Sequence, residues 1–193
     1  MESEKKVLTL RFIVRAGIFS AFAAILYIFV KFPVPFLPPF LEFHFDEVPV
    51  FIASFAYGPL MGVVVLIVKT LIKLPFTETL CVGELSDLIY SLAFILPAAF
   101  IYNKNRKFKS VIIGFVVGFI SQMVVAFLGN IFVMIPFYMN LFGMDNPGLK
   151  DIVITYGVAA ILPFNAIKNA AVILITLPTY KSLHRLIDKI QIK

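Results

Sequence analysis

A chain of 193 residues that is 61% hydrophobic and only 15% charged, with a mean hydropathy of +0.98, is excluded from the ordinary soluble domains. A single cysteine, Cys81, rules out an internal disulfide. The formal net charge of +6 gathers at the ends of apolar runs and forms no stripe interleaved with aromatics, which points to membrane orientation and away from nucleic acid.

The first predicted element covers residues 12–30. Lys5, Lys6, Arg11 and Arg15 around its start imitate a signal peptide, but the apolar stretch is too long, and Lys31-Phe32-Pro33 offers no small-residue cleavage site. It reads as a retained membrane span. Ala16, Ser20 and Ala24, with Gly17, Ala21 and Ala23 alongside, make a small-xxx-small stripe. Such a stripe suits packing inside the bundle or against a partner's helix, and spacing alone leaves both open.

Next comes "KFPVPFLPPFLEFHFDEVP", beginning at Lys31. Prolines 33, 35, 38 and 39 fix φ and exclude helix, so this segment is rigid without being regular. Leu41, Phe43 and Phe45 alternate with Glu42, His44 and Asp46, the two-residue period of extended chain. Residues 31–47 are therefore expected to form a lid loop, apolar on one face and acidic on the other. A plain hydrophobic plug is the alternative.

Further apolar runs follow at 48–57, 59–74, 83–102, 110–138 and 152–178. The second and third runs are short and are separated only at Tyr57-Gly58-Pro59, so charge must decide between five spans and six. Six spans put the basic N-terminus, the linker with Lys104, Arg106, Lys107 and Lys109, and the tail with Lys181, Arg185, Lys189 and Lys193 on one side, as the positive-inside rule favours. The acids Glu42, Asp46, Glu47, Glu78, Glu84, Asp87, Asp145 and Asp151 then lie at or near the outer face. His44 and His184 fall on opposite sides and cannot cooperate. The expectation is an all-α membrane protein: one domain over 1–193, six transmembrane helices, an extracellular proline-rich lid and both termini cytoplasmic. The tail "KSLHRLIDKIQIK" is amphipathic and continues the last helix along the membrane surface.

Polar residues inside the spans mark where chemistry is possible. Lys168 lies about 20 Å of helix from Lys181, beyond the reach of its side chain to the interface. A lysine at mid-membrane costs about 2.5–3.5 kcal/mol on insertion scales, so it needs a partner or a polar cavity. Asn165, Lys168 and Asn169 sit at i, i+3 and i+4, on one helix face. They form either a helix–helix lock, with Lys168 bonded to a carboxylate, or a polar clamp in a cavity. Asn130, beside Gly129 in the fifth span, offers a second amide. Glu84 and Asp87 open the fourth span: Glu84 suits a cap at the helix N-terminus, and Asp87, one turn deeper, suits a cavity. No nucleophile–base pair, metal-ligand spacing or Gly-Lys phosphate loop is visible.

The segments "KFPVPFLPPFLEFHFDEVP", "YGPLMGVVVLIVK", "GELSDL", "GNIFVMIPFY" and "ILPFNAIKNAAVI", in this order across residues 12–180, resemble the riboflavin-specific substrate-binding (S) components of energy-coupling factor transporters. The resemblance implies a six-helix, non-enzymatic subunit of the bacterial cytoplasmic membrane that captures riboflavin from outside. Riboflavin would be its transported ligand rather than a cofactor. It would deliver the vitamin through a transmembrane coupling protein (EcfT) and two cytoplasmic ABC-type ATPases. By the same resemblance Asn130, Asn165 and Lys168 bind flavin polar groups, including the ribityl hydroxyls. Leu41, Glu42, Phe43 and Glu47 of the loop, with Asp87, complete the expected substrate site, and Ala16, Ser20 and Ala24 are expected at the coupling interface. A flat ring with a polar edge and a chain of hydroxyls suits aromatic walls with a few aimed amides and an amine. The readings weighed against it are an S component for flavin mononucleotide, an analogue or another vitamin, a small intramembrane acid–base enzyme using Glu84, Asp87 and Lys168, and a purely structural subunit.

Overall fold

The computed structural model describes residues 9–33, 41–77, 79–141, 143, 148 and 151–191, with only the backbone at 33 and 183–191. Prolines 35, 38 and 39, Glu78, Asp145 and the His184 side chain lie outside this description.

Helix α1, Leu10–Phe29, is 20 residues long, about 30 Å and enough to cross a bilayer core. Two short antiparallel strands follow, β1 (Lys31–Pro33) and β2 (Glu42–His44). They pair Lys31 with His44, Phe32 with Phe43 and Pro33 with Glu42. The alternating sequence is thus extended at β2, and a 2.7 Å ion pair from Lys31 to Glu42 pins the strand pair. Helix α2, Glu47–Tyr57, begins directly after it, with Pro49 tolerated in the first turn, where its missing N–H breaks no helical bond.

At 11 residues α2 is only about 16 Å long, and it is buried from Glu47 to Phe55. An apolar helix with no polar face belongs in the middle of a bundle. Gly58, at φ 98°, turns the chain in a conformation glycine adopts without a Cβ clash. Pro59 then starts α3, Pro59–Lys73, at the position where its missing N–H is harmless. A 3₁₀ turn, Leu74–Phe76, extends α3.

Helices α4 (Val82–Lys104) and α5 (Phe108–Gly129) form a tight hairpin. A Cβ on Gly114 would sit 2.9 Å from the Ala98 backbone, and one on Gly118 would strike the Phe94 carbonyl. Glycine four residues apart is therefore what lets these backbones touch.

The last two long elements share one irregularity. Helix α5 passes through a π-helical stretch, Asn130–Met134, into α6, Ile135–Leu141. A second π-helical stretch, Ile152–Ile161, leads into α7, Leu162–Gln191. Each stretch ends two residues before a proline, Pro136 or Pro163. A proline cannot bond the carbonyl four residues back and its ring collides with it, and widening the helix relieves that clash.

Among the described residues, five helical stretches are long and apolar enough to cross a membrane: Leu10–Phe29, Pro59–Phe76, Val82–Lys104, Phe108–Leu141 and Ile152–Ser182. The expected six meets a difference at α2, which is shorter than these and enclosed by them. Among the described residues, two apolar cores hold the bundle. The larger centres on Phe51, Phe55, Phe94 and Phe115, and the smaller joins Leu41, just before β2, to Ile131, Ile135, Ile152, Ile161 and Phe164. Near the larger core, the hydroxyls of Tyr102 and Tyr180 meet at 2.6 Å.

Candidate functional site

Chain entering from β2 carries His44, Asp46 and Glu47 into the bundle, where they meet Lys69 of α3, Asp87 and Ser91 of α4 and Lys168 of α7. All except the partly buried Asp87 lie in the interior. Ionised groups removed from water persist only when paired. Here the pairing is dense.

The two lysines are held differently. The Lys69 amine bonds Asp46 and, at 2.9 Å, Asp87 Oδ2. It also lies 4.5 Å from the centre of the Tyr27 ring. Lys168 Nζ has three looser neighbours: His44 Nε2 at 3.3 Å, Asp87 Oδ1 at 3.4 Å and Glu47 Oε1 at 3.5 Å. Charge-assisted bonds normally close to about 2.7–2.9 Å. Lys69 is therefore the lock that ties α3 to the β2–α2 junction and to α4. Lys168 is an amine held by longer contacts.

Burial pushes the Asp46 carboxyl up, but the Lys69 ammonium and His44 beside it hold it well below the usual carboxylate range. His44 bonds Asp46 through Nδ1 and stacks on Tyr27 with ring centres 4.6 Å apart. Ser91 donates to Glu47 Oε1 at 3.1 Å, and Glu47 Oε2 is buried without a hydrogen-bond partner. Among the described residues no group of three or more His, Cys, Asp or Glu side chains is arranged to hold a metal ion.

The asparagines occupy the helix irregularities. Asn130, first residue of one π-helical stretch, donates to the Ala126 carbonyl at 2.7 Å. Asn165, just past the other, donates to the Ile161 carbonyl at 2.9 Å. In each case a carbonyl near the π–α junction is satisfied by an amide four residues on. Leu41 and Phe43 approach the same region: Leu41 packs in the core with Ile131, Ile161 and Phe164, and Phe43 lies edge-on to Phe164 at 6.3 Å.

The expected residues fall in different places. Of the two readings open for Lys168, the paired one is present, since carboxylates and a histidine surround its amine. Glu42 lies apart from the charged cluster, half-exposed and bonded to Lys31. Glu84 serves its own helix entrance, accepting from Thr77 at 2.8 Å and Thr79 at 2.6 Å. Ala16, Ser20 and Ala24 are buried inside the bundle, because α2 and α3 pack on α1. That face is thus closed to a partner. His44 does take part in the cluster, through neighbours other than His184.

Three groups escaped the sequence reading. Lys69 lies in the run VVVLIVKTLIK, where the insertion-cost argument made for Lys168 applies equally. Asp46 was placed at the outer face only as one acid among several. Gln122, inside the fifth run, is a buried amide that joins α5 to Asn165 and Asn169, and an intramembrane glutamine is itself a signal for such a bond.

Residues 11–180 match the family model described as the ECF transporter, substrate-specific component. The chain is 33% identical over 192 residues to a protein of Staphylococcus aureus (strain TCH60) named riboflavin transporter RibU, covering 98% of this chain and 96% of that one. It is 31% identical over 147 residues to one of Bacillus subtilis (strain 168) named riboflavin transporter FmnP, covering 74% and 76%. A solved structure, described as the S component of a bacterial ECF transporter, superposes with a TM-score of 0.76 at 33% identity, over 91% of this chain and 96% of that one. The chain belongs to the family of substrate-specific components of ECF transporters.

Proposed function

We propose that this S component binds riboflavin from outside the cell and hands it to an ATP-driven coupling module. The observation that carries the reading is the loosely held Lys168 amine, 3.3–3.5 Å from its protein neighbours, on the same face as Asn165. Hydroxyls of a ribityl chain can insert at such contacts, because Lys supplies three donors and Asn both a donor and an acceptor. Leu41, Phe43 and Phe164 supply apolar and aromatic surface for a flat ring. The names of the two relatives supply the ligand. The carboxylates of Glu47 and Asp87 beside Lys168 disfavour a phosphorylated flavin by like-charge repulsion.

The protein sits in the bacterial cell membrane with six spans, α2 together with α3 making the short second and third. Both termini are cytoplasmic, and the described parts of the lid segment, residues 31–33 and 41–47, lie on the outer side of the site. The coupling partners are a transmembrane protein and two cytoplasmic ATPases, as the family implies. With Ala16, Ser20 and Ala24 enclosed, the small residues of α1 left exposed are Gly17 and Ala21. They give the coupling protein its closest approach.

The test is titration of riboflavin with detergent-solubilised protein. Flavin fluorescence should be quenched to one ligand per chain, and Asn165→Ala should weaken the binding. Absence of quenching by the unaltered protein would refute the proposal.

A further inference from the structure

Three buried amides form a hydrogen-bonded chain whose direction one backbone atom decides. The Ile161 carbonyl can only accept, so Asn165 must present its Nδ2 to it, at 2.9 Å. The Asn165 Oδ1 then faces Gln122 and accepts from its Nε2 at 3.1 Å. Gln122 is left with Oε1 towards Asn169, which donates its Nδ2. At the open end, Asn169 Oδ1 is buried with no hydrogen-bond partner. Each amide has one orientation that satisfies its neighbour, and reversing any of them would place two donors or two acceptors face to face.

We propose that Gln122 is a positioning residue that carries the orientation of Asn165 across to Asn169, and thereby sets which ligand hydroxyls the site accepts. This rests on the reading that Asn165 and Lys168 hold the ribityl chain. Gln122 comes from α5, whereas both asparagines are on α7, so it links the orientation of one to the other from outside their own helix. It is 1% exposed and its contacts are to those two amides, so it acts through them. With Gln122 in place, Asn165 keeps one free N–H and one free lone pair, and the Asn169 oxygen is left as an acceptor for a ligand hydroxyl. A buried acceptor without a donor is costly, and a polyol supplies donors. Chains of hydrogen bonds also polarise one another, so the far end feels the loss of the middle link.

The test uses full-length protein in detergent with two probes: riboflavin, and lumiflavin, which keeps the ring but has a methyl group instead of the ribityl chain. The unaltered protein is titrated first, and its failure to take riboflavin would fell the functional reading itself. Given that binding, Gln122→Leu and the straighter Gln122→Met should each weaken riboflavin about tenfold, the size of one hydrogen bond at its upper end. Lumiflavin affinity should stay within about twofold, since the ring is held by other groups. Retained lumiflavin binding also shows that the variant is folded. Equal losses for both flavins, complete loss of both, unchanged riboflavin binding, or an unaltered protein that takes riboflavin but not lumiflavin would each overturn the proposal.

Discussion

Two lysines buried among the same carboxylates would be hard to tell apart by composition, yet their distances separate them. Lys69 is held closely by Asp46 and Asp87, and removing one partner of a buried pair leaves the other charge stranded, a loss of about 3–5 kcal/mol. We therefore expect Lys69→Met to lower the thermal midpoint of detergent-solubilised protein steeply. Lys168→Met should lower it less, because its contacts at 3.3–3.5 Å are already long. Equal midpoints would contradict the division of roles. Asp46 adds a dependence on pH. Its folded carboxyl titrates well below the ordinary value of about 3.9, so its stabilisation is fully present above that value and is lost as pH falls through the folded pKa. Thermal unfolding should therefore show no pH dependence from this group between pH 5 and 8, where its stabilisation is constant, and a decline below about pH 4. Asp46→Asn should have a lower midpoint at neutral pH and a shallower acid decline.

Between residue and bundle, helix irregularity sets the geometry. Pro136 and Pro163 each follow a π-helical stretch, and Asn130 and Asn165 stand at the ends of those stretches, satisfying carbonyls there. Part of this was legible: the alternation from Leu41 to Asp46 marked extended chain. What was not legible is the loosening of the helices, because backbone register depends on which neighbours can satisfy the displaced carbonyls. The Gly114–Gly118 contact belongs here too. Gly118→Leu would drive a side chain into the Phe94 carbonyl, so this variant should unfold at clearly lower temperature in detergent. A midpoint equal to that of the unaltered protein would show that α4 and α5 are not held by this approach.

For the molecule as a whole, charge placement along the sequence foretold several apolar spans and a polar interior, but not which polar groups would find one another. Periodicity marks a helix face, and it does not say which helix will cover it. The stripe Ala16, Ser20, Ala24 illustrates the limit, since small residues suit any close neighbour and here that neighbour is the chain itself. Lys69 illustrates another, for one lysine drew attention where the same physical reasoning applied to two. The family resemblance carried the functional expectation further than spacing could, and the site now has a division of labour. Lys69 and Asp46 hold the descending chain in place, and the proposed ligand contacts fall to Lys168 and Asn165. The most direct measurement is riboflavin fluorescence titration of the unaltered protein beside Lys168→Ala. The expected result is stoichiometric quenching by the former and affinity at least about tenfold weaker in the latter. Two superimposable titration curves would contradict it.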